Sequence, residues 1–207
     1  MIQMRRIPAL MLPGMLAALL MLGAARAEAA PEAYKIDPDH LSVGFLVDHI
    51  GYARVLGLFR EAGGSFRFDR ETRQLSDLTV TIQSASVFTN HDKRDEHLRG
   101  PDFLNAGEFP EITFVMTGGE PTGERTGKVT GDLTILGVTR PVTLDVTWNK
   151  SAEYPFGGGL LSKPNFVTGI SARGSFKRSD FGMMYAVENG WVGDSVELII
   201  EAEAIRQ

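Results

Sequence analysis

The sequence predicts an all-β protein, an extended antiparallel barrel of about eight strands with one short helical insertion near residues 91–104. Three features predict it. Apolar residues recur at every second position from Tyr34 almost to the last residue. Short clusters of Gly, Asp, Thr and Pro cut that pattern into hairpin-sized segments. One stretch alone, rich in charged helix formers, breaks the alternation.

Ahead of the barrel, residues 1–27 read as a secretory signal. Arg5 and Arg6 supply the positive start, Ile7 to Gly23 is uncharged and apolar, and Ala25-Arg26-Ala27 offers a small-x-small cleavage site. Pro8 and Pro13 interrupt a run already short for a membrane span, so no stable membrane anchor is expected. Cleavage after Ala27 leaves residues 28–207 as one domain in the periplasm, long enough to bury a sizeable core. With no cysteine in the chain, that core must hold without disulfides.

Tyr34–Asp37 reads as a short first strand, and Leu41–Ile50 as a second in which Val43, Phe45 and Val47 alternate with Ser42, Gly44 and Leu46. Arg54–Phe68 is expected as one strand carrying Phe59. Leu78, Val80 and Ile82 mark Leu75–Ser86, and Ile112 and Phe114 mark Glu111–Gly118. Leu133 and Ile135 follow Val129 and Gly131 in Lys128–Leu136, and Val142, Leu144, Val146 and Trp148 line one side of Thr139–Lys150. Ile170 and Phe176 belong to Phe166–Lys177, and Val196 and Leu198 to Ser195–Ile205. Each strand has one apolar and one largely polar face, as a sheet with one wet side requires. Closing such strands into an eight-stranded barrel removes the exposed edges that would otherwise pair between molecules.

The interruption, Thr89 to Leu104, reads as a helix capped by Thr89 with Asp92 and stopped by Gly100-Pro101. Lying between strands, it is expected to cover one barrel end. The glycine-rich connection Ser151–Asn165 is expected as a loop near a barrel mouth.

Loss of the signal removes three arginines and no acid, moving the formal charge from −5 to −8. An acidic chain is a poor match for nucleic acid, whose phosphates attract clustered Lys and Arg. No nucleophile elbow is present, and Gly157–Gly159 lacks the Lys-Ser/Thr and helix start of a phosphate loop. His91 and His97, six apart, fall on opposite helix faces, whereas two ligands on one face need a spacing of three or four. His49 and His97 are free to meet in space, but with no third ligand the sequence indicates no metal site. Asp95 and Arg99 have the spacing of a helix ion pair. Arg94 and His97, if turned inward beneath the lid, would hydrogen-bond a polar head group at the pocket mouth. The alternative is an enzyme acting on a lipid-like substrate, with acid-base groups drawn from His97, Arg94 and Asp95.

An eight-stranded barrel is just wide enough to be filled by its own side chains or to hold one slender ligand. Gly57, Gly131, Ala172 and Gly174 alternate with Phe45, Phe114, Trp148 and Phe176 on the inward face, a mixture that suits either.

Six stretches narrow the choice. They are Tyr34-Lys35-Ile36-Asp37 with His40 to Phe45, Val55 to Phe59, and Arg94 to Arg99 with Asp102-Phe103-Leu104, followed by Phe109 to Phe114, Gly131 to Val142, and Arg178 to Met183 with Gly193 to Val196. In this order they resemble the YceI-like periplasmic proteins, also called the polyisoprenoid-binding family. The resemblance implies a lipocalin-like barrel holding an isoprenoid quinone, prenyl lipid or similar long-chain amphiphile as ligand, with no other cofactor, no catalytic residues and scope for a homodimer. It assigns the tunnel wall to the inward residues named above, and with it a carrier role. Two departures, Gly158 to Pro164 and the charged Arg173 where a smaller residue is common, are expected to bear on the mouth.

Overall fold

The computed structural model describes residues 30–159 and 163–207. The predicted signal and its cleavage site lie outside them. The chain runs β1 (Glu32–His49), β2 (Ala53–Phe59), β3 (Ala62–Asp69), β4 (Gln74–Gln83), a 3-10 turn (Ser84–Ser86) and β5 (Val87–Phe88). It continues through α1 (Asp92–Arg99), β6 (Glu111–Pro121), β7 (Thr126–Ile135), β8 (Val138–Glu153), β9 (Phe166–Lys177), a second 3-10 turn (Arg178–Phe181) and β10 (Val192–Arg206). Every strand pairing is antiparallel, from β10 through β9, β8, β7, β6, β4 and β3 to β1, and β1 pairs back onto β10. Eight staves therefore close the barrel, as the alternation predicts.

Two boundaries differ from the sequence reading. Tyr34–Asp37 and Leu41–Ile50 form a single strand, β1, with a break in register against β10 between Ile36 and Leu41. Pro38 has no N–H to give the ladder, and the Asp37 carboxylate takes the Asp39 N–H at 3.2 Å and the His40 ring at 2.7 Å instead. Conversely, Arg54–Phe68 splits at Arg60. The β3 half pairs with β4, which ends at Gln83, whereas the β2 half pairs along β1 and, at Leu58 and Phe59, with β5.

The helix is also shorter than expected. His91, not Thr89, occupies the N-cap, its Nδ1 accepting the Arg94 N–H at 3.3 Å. The hydroxyl of Thr89 instead donates to Asp95 and accepts from Arg94 Nε.

The insertion bearing α1, the β1–β2 turn, the β7–β8 turn and the connection from β9 to β10 all lie at one end of the barrel, here the lid end. The β3–β4, β6–β7 and β8–β9 connections lie at the other. The glycine-rich stretch after Glu153 therefore sits at the far end, away from α1. Tyr34, Ile36, Phe66, Phe68 and Ala204 fill that far end. Tyr34 stacks on Phe66 at 5.2 Å, and Trp148 meets Phe68 edge-on at 5.4 Å.

An apolar shaft with one polar mouth

The barrel encloses a cavity of about 470 Å³, within the usual range for small-molecule sites. Its wall starts near Ile36, Phe66 and Ala202 and ends under Leu98, Phe103 and Leu104 of the insertion. The inward-facing residues named from the alternation line it on every stave, from Val43, Phe45 and Val47 to Val196 and Leu198. Trp148 does not. It lies beyond the shaft, where its indole N–H reaches Ser151 Oγ at 2.8 Å and its ring borders a second cavity of about 280 Å³. Phe66, Leu75, Val129, Val146 and Ile170 face both spaces and form the partition between them.

The glycines explain how a wall bearing phenylalanines stays open. Gly57 is the register partner of Phe45, and a Cβ added there would fall within the Phe45 ring. The Phe114 ring covers Gly131 in the same way, and Leu144 leans over Gly174. Each large side chain lies flat against a neighbouring strand instead of projecting into the shaft. These glycines are therefore seats for rings, not gaps beside them.

All ionisable side chains on the cavity wall are at the lid end: Asp48, His49, Arg94, His97 and Arg178, with the Tyr185 phenol beside them. Arg94 is held by Thr89, donating from Nε to Oγ1 at 2.7 Å and from Nη2 to the carbonyl at 2.7 Å. Thr89 in turn donates its N–H (2.8 Å) and its hydroxyl (2.5 Å) to Asp95 Oδ1. The predicted Asp95–Arg99 pair is therefore not formed; the carboxylate is buried, faces back toward the β5–α1 connection and stays off the cavity wall. His97 Nε2 meets Asp102 Oδ2 at 2.8 Å, and its ring packs edge-on against Phe103 (4.9 Å) and Tyr185 (5.0 Å).

Arg178, at 2 % exposure, is the buried cation of the mouth. It donates to the carbonyls of Gly193 (2.8 Å), Met183 (3.0 Å), Tyr185 (2.7 Å) and Val192 (2.8 Å), binding the whole β9–β10 connection to the end of β9. Burial pulls its guanidinium below the ordinary value, and the Asp194 carboxylate pulls the other way. Arg178 stands in a sequence stretch that by itself suggests no role, and Ile50, Tyr185 and Trp191 of the wall lie in loops that carry no period to read.

Arg173 is turned outward, its guanidinium 2.5 Å from Glu201 on the barrel exterior. That departure from the family pattern therefore lies away from the mouth. His49 and His97 both reach the lid end, and among the described residues no group of three or more His, Asp or Glu is disposed to hold a metal ion.

A closed antiparallel barrel around an interior apolar cavity is the architecture these observations define. A sequence model of the YceI-like domain matches residues 34–204, and the chain belongs to that family. Protein YceI of Escherichia coli is 38% identical over 196 residues, covering 94% of this chain and 96% of that one. The crystal structure of the Campylobacter jejuni YceI protein superposes with a TM-score of 0.66 at 32% identity, covering 77% of this chain and 90% of the other. A polyisoprenoid binding domain from Saccharophagus degradans shares the fold, with a TM-score of 0.59 at 12% identity over 85% of this chain and 99% of that one.

Proposed function

We propose that this chain is an exported, periplasmic carrier that holds a polyisoprenoid or similar long-chain amphiphile, an isoprenoid quinone or prenyl lipid, with its tail in the shaft and its head at Arg94 and His97. The observation that carries this reading is the polarity of the cavity: apolar along its length, with every ionisable side chain of its wall at one end. Such a space suits a molecule that is itself apolar along its length and polar at one end. Burial of the tail at about 0.8 kcal/mol per methylene offsets the cost of ordering it. The family and a structural neighbour described as polyisoprenoid binding support the same class of ligand.

The arrangement favours holding over turnover. Asp95 is committed to Thr89, and the His97 ring is fixed by Asp102 between two aromatic rings. Solvent extraction of the purified protein followed by mass spectrometry tests the reading. A long-chain amphiphile near one per protein is expected; a protein that yields none and takes up none overturns it. N-terminal sequencing of the exported form should begin at Glu28.

A further inference from the structure

We infer that the rim of the cavity mouth is a docking surface for the face of a lipid bilayer, presented by the β1–β2 turn and the β9–β10 connection. Ile50 (47 % exposed), Tyr52 (90 %), Met184 (47 %), Tyr185 (44 %) and Trp191 (58 %) stand out from these two segments. The segments are joined directly, the Ile50 N–H donating to the Trp191 carbonyl at 2.9 Å. Ile50, Tyr185 and Trp191 also line the cavity, so one apolar surface runs from the outside of the protein over the rim and into the shaft.

Three further observations bear on what this rim meets. Ile50 has a φ of +53°, a left-handed backbone that a β-branched side chain rarely adopts and that Gly or Asn would take with less strain. Isoleucine at this position places an apolar side chain at the rim against its own backbone preference. Residues 49–53 and 182–193 carry one formal charge between them, Glu188, His49 aside, in a chain of 26 acidic and 21 basic residues. Finally, the four carbonyl bonds of Arg178 hold the longer segment in place, so little ordering remains to be done on contact.

Tyrosine, tryptophan and isoleucine on a charge-poor rim match the interfacial zone of a bilayer, where amphipathic rings settle at head-group level. A second copy seated on the same ring would stop the mouth, whereas a bilayer touches the ring while leaving the shaft open to a lipid reservoir. The choice of a bilayer rests on the carrier reading; the existence of the rim does not.

The test uses the purified protein and phosphatidylcholine vesicles with brominated acyl chains. Co-sedimentation reads binding, and quenching of Trp191 reads insertion, Trp148 being at the opposite end. Tyr52→Ser with Met184→Ser removes two rim side chains that do not line the cavity, and Val115→Ser removes an exposed apolar residue of β6 that belongs to neither rim segment. Uptake of farnesol from solution reads the cavity separately. The expected result is vesicle binding with quenching, about tenfold weaker in the double variant and unchanged in the control, with farnesol uptake intact in all. A protein that takes up farnesol but ignores vesicles, or a double variant that binds them as well as the parent, overturns the docking surface and leaves the carrier reading standing. A double variant that instead shifts from dimer to monomer assigns the rim to a second copy and overturns it too. Failure to take up farnesol counts against the carrier reading alone.

Discussion

The Phe45 ring lies flat against Gly57, its register partner on the adjacent strand, and the absence of a side chain at 57 is what lets the ring leave the shaft open. Gly57→Ala is expected to drive the ring into the lumen, destabilising the barrel by about 1–3 kcal/mol through overpacking. Farnesol capacity should fall with it. Adding Phe45→Leu should restore much of both, and thermal melts with a fluorescence titration of the two variants check this. Equal uptake by Gly57→Ala and the parent would show that the ring has somewhere else to go.

Arg178→Met removes the donors of four carbonyl bonds at a buried site. Unsatisfied buried carbonyls cost about 1–3 kcal/mol each before relaxation, so a loss of about 3 kcal/mol or more is expected. Amide hydrogen exchange should localise the loosening to residues 183–193. Arg178→Lys should rescue little, since one ammonium cannot reproduce the guanidinium fork.

Thr89→Val keeps the shape of the side chain but breaks the link between Arg94 and Asp95. About 1–3 kcal/mol of stability should go, with faster exchange in α1 and quicker release of a bound amphiphile. Arg94→Gln, by contrast, should weaken retention of an amphiphile with an acceptor head group while leaving a plain hydrocarbon of equal length unaffected.

The exposed His40–Asp37 pair gives a pH signature. The hydrogen bond to Asp37 raises the His40 pKa above 6.5, and the same bond lowers Asp37 below 3.8. By linkage, the histidine contributes fully below its unfolded pKa and its contribution is lost as pH rises through the raised folded value; the carboxylate contributes above its unfolded pKa and is lost as pH falls through the depressed one. The pair therefore works between these limits. Asp37→Asn should return the His40 titration, followed by proton NMR, to its ordinary range; an unmoved midpoint would count against the pairing.

Much of the barrel was legible because alternation reports which face a residue takes. It does not report how far along the axis that residue lies. Trp148 shows the difference: it continues the inward row of Val142, Leu144 and Val146, yet it stands past the partition and packs on Phe68. The break at Arg60 was hidden because β2 and β3 both follow the line of a single strand along β1, and only the early end of β4 parts them. The mouth was half legible. Arg94 and His97 sit on a helix whose spacing can be read, whereas Ile50, Arg178, Tyr185 and Trp191 converge only through tertiary hydrogen bonds that leave no local pattern. Asp95 was misassigned because a spacing of four describes the helix surface and says nothing of a hydroxyl waiting six residues upstream.

On the carrier reading proposed above, the partition formed by Phe66, Leu75, Val129, Val146 and Ile170 makes the barrel a gauge of chain length. A tail that reaches it must stop, fold back or leave its remaining units outside, so the longest cargo fully sheltered is fixed by a handful of side chains and not by the staves. Such a gauge is reset without touching the scaffold. Phe66→Ala or Ile170→Ala would open the shaft toward the smaller space beyond, and two barrels of the same outline would then select cargoes of different lengths.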